Sequence, residues 1–174
     1  MQRLVVTAIF SVVLSLPVFA QTTGDWSRCQ NEDLAVKPAD SIAVCDSILK
    51  REDLTKADRI RAQHFFARGY EDVKDYDRAL VEFTQVIELD PTFAEAYIGR
   101  GTAYVAKGEF ERGIREYTRS LEIRKRVEAY YGRGRAYHKK GDKGKAVADY
   151  RAALALDPKH QMSIDNLKQL EGGK

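Results

Sequence analysis

Of the 174 residues, two are cysteine, four proline, three histidine and one tryptophan. Two cysteines are too few for a disulfide-dense miniature scaffold, and four prolines exclude a proline-rich linker protein. The histidines stand far apart at His64, His138 and His160, with no His-x-x-x-His pair and no Cys-His cluster. A zinc site therefore has no ligand set, and no metal or other cofactor is expected. Neither sign of charge dominates: 29 Lys and Arg against 26 Asp and Glu leave +3, too little to imply nucleic-acid binding by itself. The apolar run Leu4–Leu16 has 13 residues, about 20 Å of helix against a hydrocarbon core of about 30 Å. What is there, 44% hydrophobic and 32% charged residues with a mean hydropathy of −0.46, suits one helix-rich soluble domain or one short array.

The N-terminus reads as an export signal over residues 1–20. Arg3 supplies the positive start, Leu4–Leu16 the apolar stretch, and Val18-Phe19-Ala20 a small-x-small cleavage site after Pro17. The mature chain is expected to begin at Gln21, without a lasting membrane anchor, in the periplasm or outside the cell. Its charge is uneven: residues 21–93 carry −5 and residues 94–174 carry +7. Export also gives Cys29 and Cys45 a role. In an oxidising compartment such a pair is expected to be bridged, and closing a loop of about 15 residues is worth about 3 kcal/mol. There is no Cys-x-x-Cys, which argues against a catalytic dithiol.

The chain repeats itself. Tyr97 recurs at Tyr130, Gly101 at Gly134, Tyr104 at Tyr137 and Tyr117 at Tyr150, each 33 residues on, and Phe83 precedes Tyr117 by 34. Ala79, Leu80, Phe83, Val86 and Ile87 have the spacing of one stripe of an amphipathic helix. Gly108 and Gly141 mark turns, and Asp90-Pro91 and Asp157-Pro158 end helices, because proline cannot continue one. Each unit is therefore helix–turn–helix. Gly101 and Gly134 are expected to let the first helix approach small residues of the second, near Ala79, Gly113 or Ala146. Arg100 and Arg133 are expected to lay their stems along neighbouring helices with the guanidinium in water.

The pattern Tyr-x-x-x-Gly-x-x-Tyr, Ala/Gly-x-x-x-Tyr/Phe, Asp-Pro resembles the tetratricopeptide repeat (TPR). The resemblance covers roughly residues 60–160. It implies an all-α solenoid of three helix–turn–helix repeats with capping helices at both ends: residues 60–93, 94–126 and 127–160, an N-terminal cap over 21–59, and a C-terminal helix and tail over 161–174. In the cap, Ser41-Ile42-x-x-Cys45-x-x-Ile48-Leu49 reads as a second helix without its first. The sequence departs from the pattern in places. The first unit offers either Ala67 or Gly69 as its small residue, the second lacks a closing proline, and Lys143 stands where an aromatic is common.

The resemblance also implies a concave ligand groove lined by first helices. In the second unit its residues map to Glu95, Ile98, Thr102, Val105 and Ala106, and in the third to Glu128, Tyr131, Arg135, His138 and Lys139. Ile98, Thr102 and Val105 make a neutral patch beside the basic and aromatic Tyr131, Arg135, His138 and Lys139. That combination suits a protein or extended peptide carrying an acidic group, unless this face is simply solvated. The asparagines of the carboxylate clamp found in some family members are missing here. Catalysis has no foothold. Gly144-Lys145 is followed by Ala146, with Lys139 where a phosphate loop needs glycine, and Gly99-Arg100-Gly101 and Gly132-Arg133-Gly134 lack a third glycine. The expected role is a non-catalytic interaction module of the cell envelope, an adaptor or assembly factor. The alternative is a self-associating structural protein.

Overall fold

The computed structural model describes residues 18–31 and 36–172. The export-signal reading lies outside the described residues over 1–17. Among the described residues there are nine helices and no strand. They are α1 (Val18–Gln30), α2 (Pro38–Leu49), α3 (Lys56–Asp72), α4 (Tyr76–Leu89), α5 (Ala94–Ala106), α6 (Phe110–Ile123), α7 (Val127–Lys140), α8 (Lys143–Leu156) and α9 (Gln161–Gly172). No described helix is long and apolar enough to cross a membrane. Each helix packs on the next. The odd-numbered helices also touch one another, α1 with α3, α3 with α5 and α5 with α7. The even-numbered helices do so hardly at all, so the array curves towards its odd-numbered side.

Local chemistry sets the ends of the helices. Thr55, Asp75 and Asp142 accept hydrogen bonds at 3.1 Å from the backbone N–H three residues on, at Asp58, Arg78 and Lys145. Gly108 and Gly141 sit between paired helices with φ of 82° and 90°, a left-handed conformation that glycine adopts without the clash other residues meet. The first unit places Lys74 at this point, with φ 61°, at a cost of about 1 kcal/mol. Lys74 precedes Gly108 by 34 residues, which settles the small-residue question in favour of Ala67, 34 residues before Gly101. Ala67 is fully buried with Ala79 and Phe83. Gly69 instead faces the preceding helix, where an added Cβ would lie 2.6 Å from Ile42 Cγ1. Helix α6 ends in extended backbone at Arg124 without a proline, as α4 and α8 end at Asp90 and Asp157.

Two regularities run through the core. First, in the first two units the aromatic of the second helix enters a glycine gap in the next unit. A Cβ on Gly99 would lie 2.1 Å from Phe83 Cζ, and one on Gly132 would lie 2.5 Å from Tyr117 Cε1. Gly101 and Gly134 make the expected close approaches within a unit, although the nearest atoms to Gly134 belong to Tyr150 and Asp149 rather than Ala146.

Second, Arg100 and Arg133 do not hold their guanidinium groups in water, contrary to expectation. Arg100 donates from Nε and Nη2 to Glu116 Oε2 at 3.0 and 2.8 Å, and from Nη1 to Thr84 Oγ1 at 3.1 Å. Arg133 repeats this with Asp149, at 2.8 Å for both bonds, and with Thr118 at 3.1 Å. Thr84 and Thr118 in turn donate to the carbonyls of Leu80 and Ile114 at 2.7 and 2.8 Å. Each arginine thus ties three helices: its own, the second helix of its unit and the second helix of the unit before. With the partners about four-fifths buried or more, the two N–H donors on each carboxylate offset part of the cost of desolvating the charges.

The N-terminal end differs from the expected lone second helix, because α1 precedes α2 and packs against it. Cys29 of α1 is bridged to Cys45 of α2, with Cα atoms 4.9 Å apart. Ser41 Oγ donates to the Cys29 carbonyl at 2.9 Å beside the bridge. Trp26 packs on the same cluster, with the Arg61 guanidinium 5.4 Å from its ring. At the other end α9 packs on α8, and Ile164, Leu167 and Leu170 are half-buried.

Candidate binding groove

Helices α3, α5 and α7 line the inner side, and their repeat register sorts its residues into rows. Stepping by 34 and then 33 residues gives His64, Ile98 and Tyr131; then Arg68, Thr102 and Arg135; then Glu71, Val105 and His138. Between the first and second units lies a cavity of about 410 Å³ lined by His64, Arg68, Glu71 and Phe83 of the first unit, Glu95, Ile98, Gly99 and Thr102 of the second, and Arg126 and Glu128 at the junction of the second with the third.

The structure distributes the expected site residues unevenly. Ile98 and Thr102 line the cavity. Val105 does not face the groove: it is 8% exposed and packs with Tyr117 and Ala136, over the gap left by Gly113. Tyr131, Arg135, His138 and Lys139 stand on α7 beyond the cavity. The Tyr131 ring lies 6.0 Å from that of Tyr150 and 5.1 Å from that of His160, and the exposed Arg135 guanidinium covers it at 5.7 Å. Sequence reasoning missed His64, Arg68 and Glu71. The step of 34 residues that links Phe83 to Tyr117, taken backwards from Ile98, Thr102 and Val105, arrives at these three.

Polar groups in the groove are held in defined states. Thr102 Oγ1 lies 3.1 Å from the Tyr117 hydroxyl and donates to the Ile98 carbonyl at 3.0 Å. Burial pushes the Tyr117 phenol up to about 12, with the Thr102 hydrogen bond opposing the shift. Arg126 is paired with both Glu95 and Glu128, which neutralises it within the cavity rim. The His64 ring is set among Phe93, Phe65 and Phe83, with centroids 5.1, 5.5 and 5.9 Å away, and its Nδ1 is buried without a hydrogen-bond partner. Burial, aided by the nearby Arg68 charge, lowers its pKa to about 4. Glu71 moves the other way. Burial raises its carboxyl to about 7, against the opposing attraction of Arg68, with the Asp72 charge adding to the rise.

Both groups therefore favour the uncharged form in the folded protein. The native pKa of Glu71 lies above its ordinary 4.5, so its contribution to stability is complete below 4.5 and is lost as pH rises through 7. His64 has a lowered pKa, so its contribution is present above 6.5 and is lost as pH falls through 4. Glu71→Gln is expected to leave stability unchanged near pH 4 and to raise it at pH 8 by about 1 kcal/mol, after discounting for partial solvent screening. Urea midpoints at the two pH values check this. Equal midpoints for parent and variant at pH 8 would show that the Glu71 carboxyl is fully hydrated.

Among the described residues no cluster of three or more His, Cys, Asp or Glu is placed to hold a metal ion. Residues 72–136 and again 127–160 match the tetratricopeptide repeat family. No curated protein matches the chain. Solved structures share the fold at low identity. The Arabidopsis OM64 TPR domain is 24% identical over 69% of this chain and all of its own, with a TM-score of 0.65. The second TPR domain of human RPAP3, in complex with the HSP70 peptide SGPTIEEVD, is 20% identical over 67% of this chain and 98% of its own, with a TM-score of 0.63. MamA from Desulfovibrio magneticus, starting at its residue 41, is 17% identical over 88% of this chain and 83% of its own, with a TM-score of 0.71.

Proposed function

Because the chain belongs to the tetratricopeptide repeat family, we propose that it is a non-catalytic interaction module that holds an extended segment of another protein along α3, α5 and α7. The observation that carries this reading is the cavity between the first two units. Its floor is apolar, with Phe83, Ile98 and Gly99, and exposed Arg68 stands at its side without an ion pair among the described residues. A floor of that kind takes an apolar side chain, and such a guanidinium takes a carboxylate. The RPAP3 domain in complex with SGPTIEEVD supports the reading, since the same fold there holds a peptide with acidic residues.

The compartment is the cell envelope, periplasmic or secreted, and the role is that of an adaptor or assembly factor. The signal-like residues 1–20 support this, and so does the bridge between Cys29 and Cys45, a bond that persists in oxidising surroundings.

Site-specific photocrosslinking tests the groove. A photoreactive side chain at Thr102 is expected to trap the partner in cells. The same group at exposed Glu122, on the even-numbered side of the array, is expected to trap none. Adducts from Glu122 alone, or from neither position, would sink the reading.

A further inference from the structure

The row through the middle of the groove contains two arginines with a neutral residue between them: Arg68 on α3, Thr102 on α5 and Arg135 on α7. Arg68 and Arg135 are exposed and form no ion pair among the described residues. Eight other arginines do: Arg51, Arg78, Arg100, Arg112, Arg119, Arg126, Arg133 and Arg151. Among the described residues none of the carboxylates beside this row forms an ion pair with either arginine. Glu95 and Glu128 share the single guanidinium of Arg126, and burial raises Glu71 to about 7, so near neutrality it is part-ionised and only partly neutralises Arg68. Arg135 is steadied by the Tyr131 ring.

The geometry points to Arg68 and Arg135 as a pair of specificity-determining anchors that select an extended segment with two acidic side chains at a fixed separation. This rests on the groove reading above and adds to it the chemistry and spacing of the occupant. Neighbouring helices pack about 8–10 Å apart, so two intervals place the anchors about 16–20 Å from each other. An extended chain advances about 3.3 Å per residue and turns successive side chains to opposite faces. Two carboxylates that reach both arginines from one face are therefore about six residues apart. The cavity lies between α3 and α5, close to the Arg68 end, and is met by the residue two positions along on the same face. The selected pattern is acid, any, apolar, then three of any kind, then acid, read in one chain direction or the other.

Fluorescein-labelled peptides on a neutral Ala/Ser background test the pattern, with two Asp at separations of two, six and nine residues, a Leu two positions from one Asp, and both chain directions. The six-residue separation is expected to bind the parent protein best. Arg68→Gln and Arg135→Gln are each expected to weaken it about tenfold, or about 1.4 kcal/mol, with the far-ultraviolet circular dichroism unchanged. Removing the Asp that meets Arg68 is expected to weaken binding to the parent but not to Arg68→Gln, a coupling that simple loss of net charge does not produce. Arg115→Gln, a change of the same charge on α6 at an exposed position, is expected to have no effect.

Equal affinity at all three separations, or an equal loss with Arg115→Gln, would overturn the anchor pair. If no peptide binds while Thr102 still crosslinks a partner in cells, the anchor pair falls and the groove reading stands. If both experiments are silent, both fall.

Discussion

Gly99→Ala is expected to destabilise the fold by about 3 kcal/mol, although the same change inside an ordinary helix gains about 1 kcal/mol. The reason is the ring beneath it. The new Cβ would lie 2.1 Å from Phe83 Cζ and 2.5 Å from Cε1, and Phe83 is wholly buried among Ala67, Ala79, Val86, Ala96 and Ala103. Interiors packed to crystal-like density do not yield several tenths of an ångström without moving backbone. Here the backbone that must move is the joint between the first two units. Gly24→Ala in α1 is the matched control, because nothing lies within 4 Å of its added Cβ. Urea unfolding of both variants is expected to show changes of opposite sign. If Gly99→Ala is as stable as the parent, the interlock between units is not what holds α4 against α5.

Cys45→Ala is expected to cost about 4 kcal/mol. About 3 kcal/mol of that comes from the freed loop in the unfolded chain, and the rest from the sulfur lost to a fully buried cluster. Cys45 is 0% exposed, and it sits with Cys29, Val44, Ile48 and Ala62. The total stability of a domain this size is about 5–15 kcal/mol, so the variant is expected to unfold well below the parent in denaturant. Reducing the parent is expected to lower its midpoint in the same way, and Cys29→Ala/Cys45→Ala is expected to fall little further than either single change. A midpoint indifferent to reductant would mean that the Ser41 hydrogen bond and the apolar cluster suffice to hold α1 on α2.

What could be read in the sequence was whatever recurs at a fixed step. The stripe from Ala79 to Ile87 and the turns at Gly108 and Gly141 announce helix pairs because a buried face and a left-handed turn each restrict residue type. Helix α1 escaped notice. Its described part mixes Thr, Gly, Asp and Ser with Trp26 and Cys29, so no apolar stripe marks it, and it is held by tertiary contacts. The register of the first unit was ambiguous because Lys74 occupies a turn that glycine normally signals. Gly99 and Gly132 could be noticed but not explained, since their reason is an aromatic ring more than a dozen residues away in sequence. Arg100 and Arg133 were misjudged for the same cause: each finds its carboxylate 16 residues on.

In the groove, Ile98 and Thr102 line the cavity, while Val105 is buried away from it. It shares a row with Glu71 and His138, but its branched apolar side chain finds more contact over Gly113 than towards water.

The arginine bridges give the array a direction in which it comes apart. Arg100 latches the second unit to the first, and Arg133 latches the third to the second. Thirty-three residues beyond Arg133 stands Asn166, which spends its amide on the Met162 carbonyl of its own helix at 2.7 Å. Among the described residues α9 thus follows a repeat without an arginine latch of this kind, and its ion pair to α8, Arg151 with Glu171, is exposed. At the opposite end the closure is covalent, through Cys29 and Cys45. Opening is therefore expected to start at α9 and run backwards, with each joint releasing its guanidinium into water before the next can open.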